Sequence, residues 1–577
     1  QFPQPALRLL QFINLSLTYT ARVTPPTLFR EVATNFDESI YSSVLNILSP
    51  FELDSQVGLA RADPLTVRAR ERFFLPFRLG GAGFLPFSRI GPGAYFASVA
   101  VSHIMDSRFA SFNNFFKAGL VEVVEDAWVA VREFVGQYST DDMRKANMTR
   151  LDSLIGKDPD VVWSPSFVSN FSKKPKLSLI QKKITDFVMD VSQSKSIADS
   201  LETLSDASVP APRHREAAAT IITQLRSETS RVFHSSYVSS LNRIDSDLFR
   251  CGVRAFFVLP PIIFDSLERL PGNRGIFPDG SHCQSSACKA RRPAYTSHQA
   301  MLHAFARFLS LFDFTAKCDP PTRKLLMDKY DDVTCCFLFP KKPNNRSLEV
   351  ANEMRAAADR ANGARDSSIR DVIMNRVSQL RRQYGNSVTG RRVDVVVESP
   401  LRTLPKLVGD LTIRHPCTVS NFPNTKRFCT KVAQDTLSKR SAVASPQVMD
   451  LATSRTLTDA EKTKRRTYEA LMKMVRYEHQ AARLPKPEFY PLALTSLGEW
   501  SASLFKFLKD CTSQYYTHAS ALARAGFYTD NSCLPDRKSN FVRGFKDVIA
   551  CQTIAALGRL MLTAGDPAPL AAHLSQH

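Results

Sequence analysis

Apolar positions recur at helical spacing along most of the chain. Leu7 to Leu17 reads as one helix. Phe29, Val32, Phe36, Ile40, Val44, Leu45 and Leu48 follow at i, i+3/i+4 intervals that place them on one face. Pro25 and Pro26 separate these two helices, and Pro50 closes the second. Residues 94–135, rich in Ala, Val and Phe, predict further helix. So do residues 217–270, up to the breaks at Pro260-Pro261 and Pro271-Gly272. Between Ser139 and Glu216 the pattern is polar and interrupted by Asp158-Pro159, Lys173-Lys174-Pro175-Lys176 and Pro210-Ala211-Pro212. This predicts a flexible or peripheral connection with a short helix between Leu177 and Val191.

The period then changes. Glu349–Tyr384 is helical in pattern, but Arg392–Glu398 and Leu407–Ile413 are short β-type runs around a Pro-bracketed turn, which predicts a hairpin. A basic helix, Asp459–Gln480, follows, and Phe489-Tyr490-Pro491 leads into a last set of helices. The expected fold class is therefore α+β and mainly helical, with helical N-terminal segments followed by a small α/β domain. The expected divisions are a helical segment 1–138, a polar linker 139–216, a helical segment 217–280, a Cys/His motif 281–310, a helical lead-in 311–390 and the α/β domain with its C-terminal helices, 391–577. One run stands apart: Leu79-Gly80-Gly81-Ala82-Gly83-Phe84 predicts a tight turn or close backbone approach. It lacks the Lys-Ser/Thr of a phosphate loop.

Charge sharpens this picture. Lys and Arg number 76 against 55 Asp and Glu, a net +21 in 577 residues. Residues 341–480 hold 27 basic and 14 acidic residues, so +13 of the excess lies in about a quarter of the chain. A concentrated excess of this kind suits a polyanion. No apolar run approaches the ~18–20 residues that cross a bilayer, so a membrane partner is not expected. Eleven cysteines without framework spacing suggest reduced thiols in a cytosolic or nuclear setting. The first residue is Gln1 and helix begins almost at once, so a fragment of a longer polypeptide is expected.

Two constellations carry candidate chemistry. Cys283, Cys288, His298 and His303 form a Cys-x4-Cys…His-x4-His cluster, four ligands of the kind a tetrahedral structural Zn²⁺ takes. Asp394 and Asp410 each interrupt a run of Val, Leu and Ile on the two β segments. A carboxylate buried in such a run costs several kcal/mol unless it is paired or metal-bound. Two on paired strands can share one Mg²⁺ or Mn²⁺, the core of a metal-dependent nuclease. The basic helix supplies Lys464 as the positive group, with Glu461 and Tyr468 at helical spacing from it. Lys462, Arg465 and Arg466 stand alongside for a DNA backbone. Lys329-Tyr330-Asp331-Asp332-Val333 superficially matches a polymerase turn, but no partner carboxylate strand is visible and a solvent-exposed turn explains it. No Gly-x-Ser-x-Gly elbow or catalytic-cysteine signature is present.

The order of these features resembles a known family. A Leu-Pro…Gly-Gly-x-Gly turn precedes Ala94-Tyr95-Phe96-Ala97-Ser98 and the Cys/His cluster. Then come Arg391-Arg392-Val393-Asp394, Asp410-Leu411-Thr412-Ile413-Arg414-His415-Pro416, Ala460-Glu461-x2-Lys464-x3-Tyr468, and Phe489-x-Pro491 ending in Leu497-Gly498-x-Trp500. The chain is similar to the region C-terminal to the polymerase in reverse-transcriptase-like proteins of non-LTR retrotransposons that carry a restriction-like endonuclease. The resemblance implies a PD-(D/E)XK nuclease fold for the α/β domain, a thumb- or connection-like role for residues 1–138, and nicking of chromosomal DNA in the nucleus to prime reverse transcription. It implies Asp394 and Asp410 as metal-binding acids, Lys464 and Tyr468 as their helical companions, and Cys283, Cys288, His298 and His303 as a zinc knuckle. Arg391 and Arg392 would join Lys462, Arg465 and Arg466 on nucleic acid. The implied partners are target DNA, the element RNA and an upstream polymerase in the same polypeptide; no polymerase active site is expected in this chain. The sequence departs from the family at Val393, where proline is usual, at the longer first spacing of the knuckle, and at His303, where cysteine is usual. The rival expectation is an inactive or host-adopted copy that binds nucleic acid without cutting it.

Overall fold

The computed structural model describes residues 2–48, 64–106, 113–139, 141–155, 157, 177–206, 212–225, 227–235, 241–259, 291–320, 392–401, 403–414, 416, 422–441, 454–525 and 534–564, with three isolated positions, 375, 379 and 382. The helices, in chain order, are α1 Pro3–Asn14, α2 Thr20–Val23, α3 Pro26–Leu48, α4 Pro64–Phe73, α5 Phe87–Asp106, α6 Asn113–Tyr138, α7 Asp141–Ile155, α8 Leu177–Ser205, α9 Pro212–Gln224 and α10 Ser246–Phe257. They continue with α11 Arg291–Ser310, α12 Phe422–Ser441, α13 Arg455–Ala481, α14 Ala502–Arg524 and α15 Leu534–Ala564. The strands are β1 Thr315–Cys318, β2 Val395–Glu398, β3 Leu407–Arg414 and β4 Glu488–Thr495. The fold is mainly helical with one small mixed sheet.

Three apolar cores organise it. The first joins α1, α3, α4 and α10 to the C-terminal half of α15, around Phe73, Phe256, Phe257 and Ile554. The second packs α3, α5, α6, α7 and α8, around Phe29, Phe96, Val131 and Phe187. The third lies between the sheet and α11, α14 and the N-terminal half of α15, around Leu302, Leu492, Trp500, Phe507 and Phe541. Helix α15 therefore belongs to two cores, because its buried positions continue from Phe541 and Phe545 through Ile549 to Ile554 and Leu557.

The strand order is β1-β2-β3-β4, with β2 antiparallel to β1 and β3, and β4 parallel to β3. Alternation assigns Val395, Val397, Leu407, Leu411, Tyr490, Leu492 and Leu494 to the third core. The opposite face is covered by α13, where Leu457 and Ala460 meet Ala493.

The glycine-rich run does form the expected turn: Gly80 and Gly83 both have left-handed backbone, and the Gly83 N–H donates to the Leu75 carbonyl at 2.9 Å. The hairpin and the basic helix also match their expected segments. Three features do not. Helix α8 runs to Ser205 and is a core element, where a peripheral connection with a helix ending near Val191 is expected from the pattern. Its polar look misleads because Ser192, Ser194 and Ser200 are buried and return their hydroxyls to carbonyls four residues back. Val32 is exposed, and Ala33 takes the buried place beside Phe29. Strand β4 falls where the sequence reads only as a lead to helices. Pro491 argues against a central strand, and β4 is an edge strand, where proline is tolerated. Most of Glu349–Tyr384, and all of Lys329–Val333, lie outside the described residues.

Candidate metal and phosphodiester site

The β2–β3 register builds the site. Val395 faces Gly409 and Val396 faces Val408, so Asp394, one residue before β2, and Asp410, one residue beyond Gly409, fall at the same end of the paired segment. On its other side Asp394 is tied to the end of β1, since the Asp319 N–H donates to the Asp394 carbonyl at 2.8 Å. Asp410 is 1% exposed, and the two carboxyls approach within hydrogen-bonding reach of each other.

Lys464 reaches this pair from α13. Its Nζ donates to Asp410 Oδ1 at 2.7 Å, while Asp410 Oδ2 is buried and receives no hydrogen bond among the described residues. Asp394 Oδ2 accepts from the Leu411 N–H at 2.6 Å and stands 3.1 Å from His298 Nε2 on α11. The same ring nitrogen is 3.2 Å from the Leu411 carbonyl oxygen.

Electrostatics divides the pair. Burial and the adjoining Asp394 carboxylate push Asp410 up to about 7 against the pull of Lys464. Burial also acts to raise Asp394, but His298 and Lys464 prevail and hold it below the usual carboxylate value. Burial acts to lower His298, and its contact with Asp394 prevails and raises it. Two carboxyls in contact in a desolvated site do not both ionise readily without a cation between them.

The remaining expected residues have distinct placements. Tyr468 lies one helical turn beyond Lys464, is buried, and donates its hydroxyl to the Arg392 carbonyl at 2.6 Å. It thus braces the backbone two residues ahead of Asp394. Glu461 accepts from the Ser503 N–H at 2.9 Å, which ties α13 to the first turn of α14. Arg392, Lys462, Arg465 and Arg466 are exposed. His303 is exposed on α11, whereas His298 is turned inward to Asp394. Cys283, Cys288 and Arg391 lie outside the described residues. Among the described residues no three His, Cys, Asp or Glu side chains are grouped to hold a metal ion.

The acidic pair nonetheless fits a hard divalent cation. It offers buried carboxylate oxygens, one of them without a hydrogen-bond donor, and backbone oxygen at Leu411 close by. The meeting of His298 with Asp394 is the feature that sequence reasoning missed. The two are 96 residues apart, and no local spacing connects them.

No protein-family model matches the chain, and comparisons with curated proteins and with solved structures likewise found no match. Among the described residues no helix is long and apolar enough to cross a membrane.

Proposed function

We propose that this chain carries a metal-dependent DNA endonuclease that nicks a target strand, within a reverse-transcriptase-like protein of the non-LTR retrotransposon kind. The observation that carries this reading is the meeting of Asp394 and Asp410 at one end of the β2–β3 pairing, with Lys464 Nζ 2.7 Å from Asp410. A lysine beside one buried and one half-buried acid serves phosphodiester hydrolysis better than it serves packing. The order of motifs along the chain supplies the retroelement part of the reading.

In this mechanism Asp394 and Asp410 would hold Mg²⁺ or Mn²⁺, which would supply Lewis acidity at the scissile phosphate. Lys464 orients the attacking water and offsets charge building on the phosphorane. Water oxygen bonds to phosphorus and gives up a proton to solvent, the bond from phosphorus to the 3′-oxygen breaks, that oxygen takes up a proton from solvent, and the products are a 3′-hydroxyl and a 5′-phosphate. Arg392, Lys462, Arg465 and Arg466 hold the phosphates on either side.

The test is nicking of supercoiled plasmid by the full chain with Mg²⁺ or Mn²⁺. Asp410→Ala is expected to abolish nicking while DNA affinity stays within about threefold, since the phosphate-binding cations are untouched. Equal nicking by both proteins removes the assignment. Binding without nicking in the unaltered chain favours the inactive, nucleic-acid-binding reading instead.

A further inference from the structure

Among the described residues His298 is a side chain from outside the hairpin and α13 that meets the acidic pair, and the Asp410–Lys464 chemistry does not account for it. Its Nε2 stands 3.1 Å from Asp394 Oδ2 and 3.2 Å from the Leu411 carbonyl oxygen. A carbonyl oxygen only accepts, so the nitrogen that faces it carries hydrogen and donates. The same hydrogen is shared with Asp394. Its other ring nitrogen, Nδ1, is buried with no hydrogen-bond partner among the described residues, so the ring's polar contacts are made through Nε2.

The consequence is geometric. The Leu411 N–H and His298 Nε2 both fall on Asp394 Oδ2. Two donors on one oxygen fix the carboxyl plane and leave Oδ1 as the oxygen available to a cation. His298 also joins α11 to the β2 lead-in and to β3, the two segments that bring Asp394 and Asp410 together. Arrangements of this kind, in which an outer hydrogen bond orients a ligating carboxylate, change metal affinity by about 10–100-fold when removed.

We infer that His298 is a positioning residue of the metal site, which orients Asp394 through Nε2–H and does not itself ligate the ion. The inference rests on the reading of Asp394 and Asp410 as metal ligands. It assigns His298 to the sheet's acidic pair and away from a zinc cluster with His303, which is exposed elsewhere on α11.

The experiment measures Mn²⁺ binding to the full chain by electron paramagnetic resonance without DNA, together with Mn²⁺-dependent nicking. His298→Ala is expected to weaken Mn²⁺ binding by about tenfold or more. His298→Gln, whose amide places a donor near the Nε2 position, is expected to stay within about threefold of the unaltered chain. The unaltered protein's bound Mn²⁺ is expected to show no modulation from a directly coordinated nitrogen. Such modulation, assigned to His298 by its loss in both variants, overturns the positioning role in favour of ligation. Unchanged Mn²⁺ affinity in His298→Ala, equal weakening in both variants, or no Mn²⁺ binding by the unaltered chain overturns it as well. If Mn²⁺ binding depends on His298 as expected but no DNA is nicked, the positioning role stands and the nuclease reading fails.

Discussion

At the scale of residues, the site is a contest between desolvation and pairing. Asp410 is almost fully buried, and Lys464 offers it a 2.7 Å charge-assisted bond, yet burial and Asp394 keep its carboxyl up at about 7. On the proposed reading, a cation shared by both acids would resolve that conflict. Tyr468 supports the geometry indirectly. Tyr468→Phe is expected to cost about 1–2 kcal/mol, because the Arg392 carbonyl loses its donor in a partly buried place. Urea denaturation measures that cost, and nicking should fall with it as Asp394 loses its brace. If nicking falls with no loss of stability, the hydroxyl acts on the reaction and not on the backbone.

At the scale of elements, the site depends on a hairpin, one edge strand and three helices held in register by the third core. Phe541 of α15 is fully buried there, with its ring against Phe308, Phe312 and Tyr515. The other half of α15 crosses α10 at very short range. A Cβ placed on Gly252 would lie 2.1 Å from the Ile554 carbonyl oxygen, and one on Gly558 would lie 2.1 Å from that of Leu248. Alanine improves helix propensity over glycine by about 1 kcal/mol. Overpacking against rigid backbone costs about 1–3 kcal/mol or more, so the clash wins. Gly252→Ala is therefore expected to destabilise the protein by about 1–2 kcal/mol net, read as a lower melting temperature in calorimetry. A rise in melting temperature would show that the two helices separate easily.

Across the whole molecule, the +21 charge and the placement of the site belong to one account. Lys462, Arg465 and Arg466 are exposed on α13, the helix that carries Lys464 to Asp410. A phosphate backbone lying along that helix would be held beside the acids. Replacing all three by glutamate is expected to weaken DNA binding and to reduce the slope of log affinity against log salt by about 2–3, at ~0.9 per lost phosphate contact. A titration of binding between low and moderate salt measures the slope. An unchanged slope would place the phosphate track on another surface.

What the sequence determined by itself follows from local physics. The hairpin was legible because two runs of Val, Leu and Ile flank a Pro-bracketed turn. Asp394, Asp410 and Lys464 stood out because a carboxylate in an apolar strand has no packing reason, and a basic helix follows. The turn at Gly80–Gly83 was legible for a similar reason, since only glycine takes its backbone without strain. Tertiary structure decided the rest. Helix α8 looked peripheral because its serines are polar, and only their bonds to the preceding turn let them be buried. Strand β4 was hidden by Pro491, which is tolerable because β4 is an edge strand whose far side carries, among the described residues, only a short bridge, Leu494 to Trp500, beyond the proline. His298 reads in sequence as a neighbour of His303 and two cysteines. It meets Asp394 because α11 packs on the sheet through the third core, a contact set by long-range burial that no nearby residue encodes.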